Sequence, residues 1–233
     1  VRQVDWLCDD DGSRLKQWIA VFLAEKSFEG CNGFEITDEV RLLVAAQAGL
    51  VTLGMPGQWF DGLRSILVYP SDYVGPRKTP LAGGGLLEWQ EPRAGETWSG
   101  GSMVLSWSGV RDGARLRTGQ RSVVIHEIAH LVDLLDGDID GVPPLGSAAA
   151  RRRWETEMAA CRDRFEMLLD EGRNLPFDDY AAESPVEFFA VASECFFQDP
   201  HRLARYDQVL YDLLAEAYGQ DPRSRVPART VRE

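Results

Sequence analysis

Residues 121–135, RSVVIHEIAHLVDLL, constrain this chain more than any other stretch. Val124, Ile125, Ile128, Ala129, Leu131, Val132, Leu134 and Leu135 make a helix here apolar on nearly every side, and such a helix is buried. It nevertheless carries His126, Glu127 and His130. Each buried polar group must find a partner or cost several kcal/mol. Positions four apart sit ~6 Å along the axis on one helical face, so the two imidazoles can converge on one ion at ~2.0–2.1 Å. Glu127 is rotated by about 100° from His126, which puts its carboxylate beside an ion rather than on it. That is the chemistry of the H-E-x-x-H pattern: two zinc-binding histidines with a glutamate as general base. The third histidine, His201, follows Pro200 near a helix start and reads as a surface residue.

A catalytic zinc takes three protein ligands and keeps one position for water. Asp136, six residues past His130, is disfavoured as the third, because Asp133 stands where the usual form of that arrangement has a chain-turning glycine. The stretch DDYAAESPVEFFAVASECFF offers better candidates. Ser184 followed by Pro185 is a strong helix start, and Phe188, Phe189, Val191, Phe196 and Phe197 make the helix apolar. Its acids are therefore suspicious. Glu187 is favoured, although its N3 position also suits a capping box, with Glu194 and Glu183 as alternatives.

Overlapping the zinc pattern is a second metal spelling, D-x-D-x-D-G, at Asp136, Asp138, Asp140 and Gly141. A calcium loop needs a bidentate glutamate at its twelfth position. Ser147 stands there, after the stiff pair Pro143 and Pro144. The plainer reading is a turn that ends the helix at Gly137.

The rest of the chain reads as one α+β domain. Two helices are expected within residues 13–53, the second capped by Thr37. Short strands follow at 64–70, 83–92 and 97–107, then helices at 121–135, 149–171, 185–197 and 201–218. The helical pair of residues 1–54 is expected to pack on a domain ending near 218, and residues 219–233 to form a flexible tail. At 233 residues, 44% of them hydrophobic, the chain suits a soluble globular protein. Its net charge of −12 argues against a direct nucleic-acid surface, which needs concentrated Lys and Arg. Cys8, Cys31, Cys161 and Cys195 form no C-x-x-C pair and read as free thiols of a reducing cytoplasm. There is no apolar run of membrane-spanning length.

The segments FEGCNGFEITDEVRLLVAAQAGL, GGSMVLSW, VVIHEIAHLVDLLDGDIDGVPPL and DDYAAESPVEFFAVASECFF together resemble the Mlc titration factor A family of bacterial zinc metallopeptidases. The resemblance implies a zincin-like fold related to the catalytic domain of anthrax lethal factor, with a small mixed or antiparallel sheet and a mainly helical C-terminal half. It implies one Zn2+ per chain held by His126, His130 and Glu187, with Glu127 as general base and Tyr180 assisting at the scissile carbonyl. Aminopeptidase-like activity on peptides is the expectation that follows. Because the enterobacterial member binds the glucose-responsive repressor Mlc, an Mlc-like repressor is an expected partner. Repressor sequestration with vestigial hydrolysis is the rival reading. The strand SMVLSW is expected to run beside an extended substrate, as sheet edges do.

Overall fold

The computed structural model describes residues 1–71, 101–115 and 121–228, and the strand backbone of 73–80, 86–93 and 95–98. Helix α1 (Asp9–Glu25) turns Leu15, Trp18 and Phe22 inward and packs on α2 (Asp38–Thr52). Thr37 caps α2 by accepting the Val40 N–H at 3.4 Å, and Asp38 and Glu39 fill its first turn, where the helix dipole favours acids.

Strand β1 (Ser27–Gly30) begins just after α1, where helix was expected to continue to residue 28. It pairs in parallel with β2 (Ser65–Tyr69), which pairs in parallel with β6 (Ser102–Ser106). An antiparallel strand, β5 (Gly95–Trp98), closes the far side, giving a mixed sheet in the order β1-β2-β6-β5. Strands β3 (Tyr73–Pro80) and β4 (Leu86–Arg93) form a separate antiparallel pair. β6 is therefore bonded on both flanks, and SMVLSW is not an edge. Among the described residues, the outer strand on that side is β5.

β6 runs straight into α3 (Trp107–Arg115), a helix absent from the expected pattern. The Ser106 hydroxyl starts it by accepting the Gly109 N–H at 3.1 Å. The buried helix is α4 (Val123–Asp133), extended by one 3-10 turn to Asp136 and ended by Gly137 at φ 102°, a conformation that suits glycine. Helix α5 (Ala148–Asp170) is followed by α6 (Pro185–Gln198), α7 (Pro200–Tyr206) and α8 (Gln208–Tyr218). The single helix expected at 201–218 is two, because Asp207 leaves the helical path and caps α8 at the Leu210 N–H, 3.1 Å away.

α4 and α6 pack directly on each other. Every residue of α6 from Phe188 to Gln198 is buried, within an aromatic cluster that includes Phe189, Phe196, Tyr211 and Tyr218. The segment after α8 is docked through residue 226: Gln220 Nε2 donates to the Val51 carbonyl at 2.7 Å, and Val226 is buried. His201, half-buried, contacts the Val226 carbonyl through Nε2 at 2.7 Å. Residues 83–85 of the expected strand, 99–100 and 229–233 lie outside the described residues.

Candidate metal centre

Helix α4 presents His126 and His130 on one face, with their Nε2 atoms 3.1 Å apart. Glu187, at the third position of α6, brings Oε2 to 3.1 Å from His126 Nε2 and 3.6 Å from His130 Nε2. The three side chains are only 12–19% exposed. Two imidazole nitrogens and a carboxylate oxygen facing one another this closely repel as lone pairs unless something positive lies among them. For bonds of ~2.0–2.1 Å at a tetrahedral ion, neighbouring donor atoms stand about 3.3 Å apart, and the observed separations bracket that spacing. The donor set fits a divalent metal, and among the described residues it is the group of metal-binding side chains that converges.

The histidine pair is oriented from behind. Glu194, two turns beyond Glu187 and 4% exposed, places Oε1 2.8 Å from His126 Nδ1 and accepts the Ser122 N–H on Oε2 at 2.6 Å. A carboxylate holding Nδ1–H leaves Nε2 as a lone pair for the ion. Ser122 caps α4 by accepting the Ile125 N–H at 3.2 Å and donates its hydroxyl to Gln47 Oε1 at 2.9 Å. Gln47, on α2, spends its amide protons on the carbonyls of Leu43 and Val110, each at 3.1 Å. A polar thread thus runs Gln47–Ser122–Glu194–His126 through an otherwise apolar interior.

Burial disfavours a charge on His126, but the Glu187 and Glu194 carboxylates outweigh it and hold its pKa up to about 10. Glu187 is likewise opposed by burial, yet its two histidine neighbours keep it well below the usual carboxylate range. The cluster is built to host positive charge.

The aspartate loop is structural. Arg151 bridges Asp136 at 3.1 Å and Asp140 at 2.6 Å. Buried Asp133 accepts the N–H groups of Gly141 and Val142, each at 2.9 Å. Ser147 caps α5 at the Ala150 N–H, 3.1 Å away. Gly141, at φ 80°, lies against Pro185; a Cβ there would stand 2.7 Å from the Pro185 oxygen. The loop therefore seats the first residue of the helix that carries Glu187.

Tyr180 sits in a 3-10 turn, Asp179–Ala182, with its ring 6.0 Å from that of His126. The turn is anchored by Arg162, which donates to the Ala182 carbonyl at 3.0 Å. Glu127 is 2% exposed, and its charge favours the His126 imidazolium. Of the four third-ligand candidates, Glu187 alone joins the histidines: Asp136 pairs with Arg151, Glu194 lies behind His126, and Glu183 is not in the cluster.

The family described as glucose-regulated metallo-peptidase M90 matches residues 1–219. The chain belongs to this family. An uncharacterised protein of Synechocystis sp. is 37% identical over 90% of this chain and 76% of its own length. Mlc titration factor A of Yersinia pestis is 30% identical over 94% of this chain and 82% of its own. The α+β fold, the cluster of His126, His130 and Glu187 and the helical C-terminal half thus belong to a metallopeptidase family. No described helix is long and apolar enough to cross a membrane.

Proposed function

We propose that this chain is a zinc-dependent, aminopeptidase-like hydrolase of peptide bonds. The observation that carries the reading is the convergence of His126, His130 and Glu187 at tetrahedral spacing in a family of metallopeptidases. Two imidazoles and one carboxylate form a donor set that suits zinc and leaves a position open. Zinc held there supplies a Lewis acid and lowers the pKa of water toward about 7 from 15.7 in bulk. Glu127 takes the proton of the attacking water and returns it to the leaving amine. The Tyr180 hydroxyl donates to the oxyanion that develops on the scissile carbonyl. Backbone pairing of an extended substrate falls to β5, the outer strand on that side among the described residues.

Glu127→Gln tests this directly. It removes the proton acceptor but no metal ligand, so peptide hydrolysis should fall at least ~100-fold while zinc content stays at one per chain. Hydrolysis surviving at the wild-type rate would refute the role of Glu127.

A second reading is favoured by the relatives named Mlc titration factor A. An Mlc-like, glucose-responsive repressor would be the partner, held by an acidic protein of net charge −12 whose field suits a basic DNA-binding surface. Glu127→Gln separates the two activities, since repressor binding would persist in it. All four cysteines are free thiols, in keeping with a cytoplasmic site of action.

A further inference from the structure

Arg121 immediately precedes Ser122, the residue that caps the metal-binding helix, so its backbone is fixed to that helix. Its side chain reaches 57 residues along the chain to Asp178: Nε donates to Oδ2 at 2.6 Å and Nη2 donates to Oδ1. This is the two-pronged pairing that fixes a guanidinium in a plane. Asp178 Oδ1 also accepts the Tyr180 N–H at 3.2 Å and so starts the turn on which Tyr180 stands. The guanidinium carbon lies 5.0 Å from the centre of the Tyr180 ring, within cation–π range. Burial opposes the charge on Arg121, and Asp178 more than restores it.

One ion pair thus joins the start of the metal helix, the backbone of the tyrosine turn and the tyrosine ring. Both partners are 46% exposed, and a pair so placed adds little to stability. Its geometry has another use. Tyr180 is tied to α4 by no covalent neighbour, so non-covalent contacts set the distance from its ring to His126; the turn also packs on α6 and is held by Arg162, and the Arg121–Asp178 fork adds a direct tie to the head of α4. We propose that Arg121 and Asp178 are positioning residues that hold Tyr180 at the metal centre. The inference rests on the reading of Tyr180 as the donor to the developing oxyanion.

The test is steady-state peptide hydrolysis by zinc-loaded wild type, Arg121→Gln, Asp178→Asn, Tyr180→Phe and the double variant Arg121→Gln/Tyr180→Phe, with zinc content measured for each. Asp178→Asn keeps a cap on the turn and loses the ion pair, so it reports on the clamp in a folded chain. Arg121→Gln and Asp178→Asn should each lower kcat about tenfold, the scale of a slightly misplaced group, with KM within twofold and zinc unchanged. In the double variant the loss should equal that of Tyr180→Phe alone, because Arg121 acts through the tyrosine. Losses that multiply in the double variant, or a fall in zinc content matching the fall in kcat, overturn the proposal. If Tyr180→Phe itself keeps the wild-type kcat, the reading of Tyr180 fails, and the positioning role falls with it.

Discussion

Replacing Glu194 with glutamine is the sharpest probe of how this metal centre is assembled. The two residues have nearly the same shape, so packing is retained while one hydrogen-bonding pattern becomes impossible. Glu194 accepts on both oxygens, from Ser122 N–H at 2.6 Å and at His126 Nδ1, 2.8 Å away. Glutamine can accept on one side only and must present an NH2 group on the other. If the NH2 faces Ser122, two donors meet in a buried place and a backbone N–H goes unpaired, costing about 1–3 kcal/mol. If it faces His126, the ring must shift its proton to Nε2, the atom aimed at the metal. Either outcome weakens the site. Loss of such an outer partner typically lowers metal affinity 10–100-fold, or about 1.4–2.7 kcal/mol. Competition for zinc against a chromophoric chelator measures this. The metal-free melting temperature should fall by roughly 2–12 °C, at 2–4 °C per kcal/mol for a chain of this size. Zinc affinity within twofold of wild type would refute the argument that Glu194 sets the tautomer of His126.

Four further outcomes are expected. Gly141→Ala forces a side chain onto a positive φ and against Pro185, so it should destabilise the fold by about 1–3 kcal/mol in thermal melts and lower zinc retention without altering a ligand. Stripping zinc with a chelator should abolish hydrolysis and lower the melting temperature, because a ligand at 1,000 times its Kd adds about 4 kcal/mol; readdition should restore both. Burial pushes the Cys161 thiol up to about 12 and Cys195 higher still, so neither should react with iodoacetamide at pH 8 in the folded chain, whereas exposed Cys8 should. The same shift gives a pH dependence. Stability gained by keeping Cys161 neutral is complete below its ordinary value of 9.0 and is lost as pH rises toward about 12. Urea melts from pH 8 to 11 on wild type and Cys161→Ala measure it.

What could be read from the sequence was whatever is written locally. The apolar surround of His126 and His130 announced burial, Thr37 and the Ser184–Pro185 pair marked helix starts, and Gly137 marked an end; all four appear in the fold. What stayed hidden depends on distant partners. Glu187 and Glu194 share a helical face by spacing, and only the packing of α6 on α4 puts one before His126 and the other behind it. α3 carries few apolar residues and shows its start only through Ser106. The break at Asp207 is masked by an apolar pattern that continues from Leu203 to Leu210. SMVLSW looked like an edge because the sequence does not show that β5 returns to cover it.

The thread from Gln47 through Ser122 and Glu194 to His126 has a consequence for alignment. Apolar contacts carry no direction, so packing alone leaves the axial register of two helices less sharply defined than a directed bond does. Hydrogen bonds at 2.6–2.9 Å define it here. Gln47 on α2, Ser122 at the head of α4 and Glu194 on α6 therefore act as locating pins, fixing three helices from distant parts of the chain along their axes. The placement of the donor triangle thus depends in part on α2, which supplies none of its members.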